Sequence, residues 1–199
     1  MIGIVDYSAG NIKSVLKAFD HIGVKSRLVT SSSDFKGIDR LVLPGVGSFG
    51  HAVKQLGEKN LFRRIRMWLN DGRPFLGICL GLQLLYSGSE ESGVEKGFAF
   101  FEGQCRIFQK GKVPQIGWNS IKIEKDSPLF NGIESGTYFY FVHSYYAPCL
   151  NKRDVLGSTN YFEKYTSIAG RGSVFAVQFH PEKSGEEGIK LLRNWVSIC

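Results

Sequence analysis

Short apolar runs alternate with amphipathic stretches over the first half of the chain. Ile2 to Val5 is a β-rich run ending at Asp6. From Asn11 to Ile22 the apolar residues Ile12, Val15, Leu16 and Phe19 recur at helical spacing. Lys25 to Val29 reads as a second strand, and Leu41 to Leu43 as a buried one that stops at Pro44-Gly45. A glycine-rich turn and helical segments to about Leu69 follow. Pro74 to Ile78 is the next buried strand, and Leu80 to Leu85 opens a helix. Continuous apolar strands alternating with helices predict a mostly parallel sheet with helices on both faces.

The pattern changes after residue 105. Arg106 to Phe108, Ser120 to Ile123, Thr137 to Val142 and Val174 to Phe179 are β-like runs separated by turn signals such as Asn131-Gly132. They predict added antiparallel strands and completion of the sheet, and Gly188 to Val196 predicts a closing amphipathic helix. With no repeat or linker, residues 1–199 read as one α/β domain.

Composition narrows the class. The 199 residues are 43% hydrophobic and 22% charged, which is ordinary globular usage. No apolar run reaches the roughly 18 residues of a membrane span. MIGIVDYSAGN lacks the basic and apolar regions of a signal peptide. Cys79, Cys105, Cys149 and Cys199 form no C-x-x-C pair and no zinc spacing, which suits free thiols in the cytoplasm. The net charge of +7 is scattered, with Arg63, Arg64 and Arg66 the densest cluster. No nucleic-acid motif accompanies it, so a solvated basic face and an acidic partner or substrate are the readings it leaves.

The chemistry is concentrated in three segments. In FLGICLGLQLL, Cys79 stands where a buried strand meets a helix, with Gly77 and Gly81 two residues to either side. That is the place of a nucleophile elbow, whose tight turn excludes side chains at the flanking positions. A helix N-terminus there favours the thiolate, and the Leu80 N–H faces a developing oxyanion. G-x-C-x-G alone also fits a buried structural cysteine. In VQFHPEKS, His180 follows an apolar strand, Pro181 fixes the turn, and Glu182 stands where it can hold the imidazole. In LVLPGVGSFG, the Pro44-Gly45-Val46-Gly47 loop also leaves a strand end, and its N–H groups, at Val46 and Gly47, can complete an oxyanion hole. It lacks the features of a phosphate loop.

Together these segments resemble the class I glutamine amidotransferases. DYSAGN at 6–11, LPGVGSFG, GICLGLQLL, GWN at 117–119, YFYFVHSY at 138–145 and FHPEKS span nearly the whole chain. In that order they resemble one branch of the family, the glutaminase subunits of imidazole glycerol phosphate synthase. The resemblance implies a Cys79-His180-Glu182 triad that hydrolyses glutamine through a glutamyl thioester, with Gly45, Gln83, Ser144 and Tyr145 holding the glutamine. The sequence shows no metal site and no need for an organic cofactor. The resemblance also implies a heterodimer with a (β/α)8 cyclase subunit, which uses the ammonia to form imidazole glycerol phosphate and an aminoimidazole carboxamide ribotide in histidine biosynthesis. Matching interface positions are Asn11, Trp118, Tyr140, Lys183 and Ser184. The chain ends at Cys199, soon after the triad, so no fused synthase domain is expected. One departure is Gln115, where the family commonly has histidine. It leaves room for a paralogous glutaminase serving surface-sugar synthesis. A stand-alone cysteine hydrolase and a non-catalytic binding module are the other readings.

Overall fold

The computed structural model describes residues 1–8 and 11–199, so Ala9 and Gly10 of the DYSAGN segment lie outside the described residues. The elements run β1 (Ile2–Val5), α1 (Ile12–His21), β2 (Ser26–Val29), β3 (Arg40–Gly45), α2 (Phe49–Glu58), α3 (Leu61–Asn70), β4 (Phe75–Cys79) and α4 (Leu80–Gln83). Then follow β5 (Arg106–Ile107), β6 (Gln115–Ser120), β7 (Lys122–Ile123), β8 (Tyr138–His143), β9 (Tyr145–Pro148), β10 (Val155–Tyr161), β11 (Glu163–Arg171), β12 (Val174–Val177) and α5 (Gly185–Ile198). The main sheet has the order β2-β1-β3-β4-β12-β11-β10-β7. Its first five strands are parallel, and β11, β10 and β7 add antiparallel pairs. β6 and β8 pair separately. This is the expected mixed sheet.

Side-chain alternation along the parallel strands makes two cores. Leu41, Leu43 and Phe75 pack with Phe49, Leu56, Ile65 and Trp68 of α2 and α3. Val42, Leu76 and Ile78 pack on the other face with Val15, Phe19, Leu191, Leu192 and Trp195 of α1 and α5. No helix is long and apolar enough to cross a membrane among the described residues.

Four expectations need correction. β3 does not stop before Pro44 but runs through Pro44 and Gly45, paired with Ile78 and Cys79. Its register with β1 ends at Ile4–Val42, so the proline falls where that side of the strand is already an edge. The helix expected over Leu80–Leu85 is one turn, ending at Gln83. The Leu84 carbonyl accepts from the Phe98 N–H at 2.7 Å and the Leu85 carbonyl from Phe100 at 2.8 Å, so neither can continue a helix. The run at 120–123 is two strands in different sheets, with the buried Ile121 between them. The closing helix begins at Gly185 and ends at Ile198, longer than 188–196.

Candidate active site

β3, β4 and β12 are adjacent and parallel, in a register that sets Gly45 opposite Cys79 and Val177 opposite Ile78. Their carboxyl ends therefore deliver three loops to one edge of the sheet: the Val46-Gly47 turn, the Cys79 elbow and the segment leading to His180. Cys79 is 5% exposed and has φ +55° and ψ −105°, left-handed backbone that a side-chain-bearing residue seldom adopts. The two glycines have steric reasons. A Cβ at Gly77 would stand 2.7 Å from the Gly81 carbonyl oxygen, and one at Gly81 would overlap the Leu43 carbonyl oxygen. The elbow thus closes backbone against backbone on both sides of the thiol.

With α4 only one turn long, the macrodipole expected beneath the sulfur is small. What the turn supplies is local, the unpaired N–H groups of its start, including that of Leu80. Val46 and Gly47 are exposed across from it, and Gly47 has φ +93°. Cys79, Leu80, Val46 and Gly47 share a cavity of about 310 Å³ with Gln83, Ser144 and Tyr145. Gly45 does not line it. Contrary to expectation this residue is buried, and a Cβ there would overlap the Tyr7 hydroxyl, so its part is to let the strand end pack. A larger recess of about 710 Å³ lies between α1 and α5, lined by Glu182 but not by Cys79.

His180 Nδ1 lies 2.8 Å from Glu182 Oε1, the two side chains each being 2% exposed. Pro181 starts a 3₁₀ turn over Pro181–Lys183 that brings the carboxylate back to the ring. The turn is anchored by the His180 N–H donating to the Tyr140 carbonyl at 2.9 Å, and by the Ser184 hydroxyl donating to the His180 carbonyl at 2.6 Å. Burial on its own pushes the His180 imidazole down. The charge of the nearby Cys79 sulfur and its pull on the ring proton, with Glu182 behind, outweigh burial and raise it to about 10. Nε2 has no hydrogen-bond partner at bonding geometry, so the sulfur acts on it mainly through charge. A thiol, an imidazole and a carboxylate so placed can form a thiolate–imidazolium pair, and hence attack a carbonyl and protonate a leaving amine.

The expected interface residues divide. Trp118 is 56% exposed and meets Tyr140 edge-on at 6.2 Å, and the Lys183 ammonium lies 5.9 Å from the Tyr140 ring centroid. These three share one outward patch on the β6–β8 pair and the 3₁₀ turn. Ser184 does not join them. It is 2% exposed, and its hydroxyl accepts from the Tyr140 N–H as well as bonding His180, so it holds the turn from beneath. Asn11 is half-buried, its side chain accepting from the Ser14 hydroxyl at the start of α1. Gln115 also faces inward, where Tyr165 donates to its Oε1, so the departure from the family pattern lies inside the fold, opposite His143 at the far end of the β6–β8 pair from Trp118 and Tyr140.

Three residues of the site were not singled out in the sequence. Glu91 lines the cavity as its one carboxylate. His143 lines it too, and burial, with the His180 charge assisting against a bond to the Tyr145 carbonyl, lowers it to about 4. Gln178 is fully buried with Nε2 3.8 Å from the Cys79 sulfur. Its place in the strand that leads to His180 was visible, but its neighbour across the sheet was not.

Residues 3–199 match the family model for glutamine amidotransferase class-I. A chain from Thermococcus kodakarensis described as imidazole glycerol phosphate synthase subunit HisH is 46% identical, over 98% of each chain. Chains of the same description are 44% identical in Chlorobaculum tepidum, over 100% of each, and 42% in Caldanaerobacter subterraneus, over 98% of this chain and 97% of that one. Among solved structures, one described as a glutamine amidotransferase superposes with a TM-score of 0.79 at 18% identity, covering 99% of this chain and 97% of the other. Another, described as PurLQS from Thermotoga maritima, gives 0.73 at 20%, covering 99% and 97%. At those identities the likeness is one of fold.

Proposed function

The chain belongs to the class I glutamine amidotransferases, and from that premise we propose that it is the glutaminase subunit of an imidazole glycerol phosphate synthase. The observation that carries the branch is full-length identity of 42–46% to chains of that description. The Cys79-His180-Glu182 arrangement supports the chemistry. The Cys79 thiolate attacks the side-chain carbonyl carbon of glutamine, and the oxyanion is held by the Leu80 N–H and those of the Val46-Gly47 turn. The His180 imidazolium gives its proton to the departing nitrogen, which leaves as ammonia. Water, deprotonated by His180, then attacks the thioester carbonyl, releasing glutamate and regenerating the thiolate. Glu182 keeps the imidazole oriented throughout. Gln83, Ser144 and Tyr145 hold the amino acid, and Glu91 offers its ammonium group a charge partner.

Ammonia passes to a (β/α)8 cyclase docked on the Trp118-Tyr140-Lys183 patch, which forms imidazole glycerol phosphate and the aminoimidazole carboxamide ribotide in the cytoplasm. Ammonia made without that partner is wasted, so the isolated chain is expected to be slow. The positive φ of Gly47 lets the Val46-Gly47 peptide turn, making that loop the gate. The test is glutamate release by the chain alone and with a histidine-pathway cyclase and its nucleotide substrate. Strong stimulation supports the reading. No stimulation, with Cys79 still alkylatable, would move it to another synthase, such as one serving surface sugars. Hydrolysis of peptides in place of glutamine would favour a stand-alone hydrolase.

A further inference from the structure

We infer that Gln178 is the hydrogen-bond donor to the nucleophilic sulfur, held in a single orientation by Gln83, and that it keeps Cys79 in the thiolate form alongside His180. The inference rests on the glutaminase reading for its purpose, though not for its geometry.

The orientation of the Gln178 amide follows from a group that cannot be reversed. The Tyr145 backbone carbonyl only accepts, and it lies 2.8 Å from one end of the Gln83 side chain. That end must be the nitrogen. The same nitrogen lies 3.3 Å from the Gln178 side chain, so the Gln178 atom facing it must be the oxygen. The opposite end of Gln178 is then its NH₂, the group 3.8 Å from the Cys79 sulfur. Reversing either amide would set oxygen against oxygen or N–H against N–H, at positions only 4% and 0% exposed. His143 Nδ1, 2.9 Å from the same Tyr145 carbonyl, pins the origin of the chain from a second side. The Gln178 N–H donates to the Ser167 carbonyl at 2.9 Å and fixes its backbone on β11.

A donor committed to a sulfur favours the thiolate, since a neutral thiol is a weak acceptor. An amide does this without bringing a charge into a fully buried place, as lysine or arginine would. Gln178, His180 and Glu182 alternate along one segment while Phe179 between them stacks on Phe139 at 4.1 Å. One strand end therefore presents a sulfur donor, an acid–base group and its orienting carboxylate.

The experiment reads Cys79 alkylation by iodoacetamide against pH, with peptide mass mapping to separate it from Cys149 and Cys199. Gln178→Met removes the donor without charge, and Gln178→Glu also sets an acceptor beside the sulfur. Both should move the alkylation midpoint upward and slow the reaction at neutral pH about tenfold or more. In the cyclase complex kcat should fall with KM little changed, because Gln178 does not line the cavity. Gln83→Met, which frees the Gln178 amide to rotate, should shift the midpoint less and in the same direction. If Gln178→Glu unfolds, the folded Gln178→Met decides. Wild-type profiles in folded variants would overturn the inference while leaving glutamine hydrolysis standing. A shifted midpoint in a protein that releases no glutamate with any partner would do the reverse.

Discussion

Acidification between pH 7 and 4.5 should test the burial of His143. Its imidazole is 6% exposed, packed among Phe108, Phe141 and Tyr165, and lowered to about 4 from an ordinary 6.5. A base lowered on folding is neutral in the native state where the unfolded chain already binds a proton. Stability is thus unaffected above about pH 6.5 and falls as the pH drops from there toward 4. The full gap of 6.5 − 4, at 1.36 kcal/mol per unit, amounts to about 3 kcal/mol, and about 2.5 kcal/mol is reached by pH 4.5. The carboxyls of Asp34 and Glu124 are held down to about 2 by their hydrogen bonds, so they destabilise the protein only below their ordinary values of 3.8 and 4.5. His180 works on the opposite side. Raised to about 10, it contributes stability that is complete below 6.5 and is lost as the pH climbs through 10. Urea unfolding at pH 7, 5.5 and 4.5 should show wild type losing about 2.5 kcal/mol more than His143→Gln, whose side chain does not titrate. Parallel losses in the two proteins would refute the argument and mean that His143 is solvated or charged in the fold.

Cys79→Ala should abolish glutamine-dependent product formation in the assembled synthase and leave formation from added ammonium salts intact, as followed by product absorbance; loss of both would give the chain a further role. Lys183→Ala, at an exposed position against Tyr140, should weaken stimulation by the cyclase with a melting temperature close to wild type; an aggregated product would contradict a docking role. Gly81→Ala drives a methyl group into the Leu43 carbonyl, so it should cost about 1–3 kcal/mol in unfolding experiments. Displacing Cys79 and the Leu80 N–H by as little as about 1 Å should also lower glutaminase turnover roughly a hundredfold.

Where local pattern and tertiary place agreed, the chain was legible. Gly77-Ile78-Cys79-Leu80-Gly81 lies at a strand end because the apolar run before it is buried, and its glycines face backbone. The hairpin of β10 and β11 was not legible. Gly157-Ser158-Thr159-Asn160 interrupts the apolar pattern, yet Ser158 and Thr159 are buried, Ser158 pairing with Thr166 and Lys122 on its two flanks and Thr159 with Tyr165 of β11. Its turn runs through Phe162 at φ +59°, a residue type that announces no turn. The length of α4 was unreadable for another reason: LGLQLL has the composition of a helix, and only the segment at 98–101 taking the Leu84 and Leu85 carbonyls ends it. In the site, proximity in sequence revealed the His180–Glu182 pair, whereas Glu91, His143 and Gln178 depend on contacts between strands and loops far apart in the chain.

The contact of Gly81 with the Leu43 carbonyl bears on how far the cavity can be reshaped. The turn carrying the Leu80 N–H and the strand leading to Val46 meet there main chain against main chain, so their footing is one rigid joint and only the Val46-Gly47 peptide beyond it is left to turn. No repacking can widen the joint, since there is nothing in it to trim. Broadening the substrate range toward bulkier amides should begin instead at Ser144 and Tyr145, which line the cavity outside that joint.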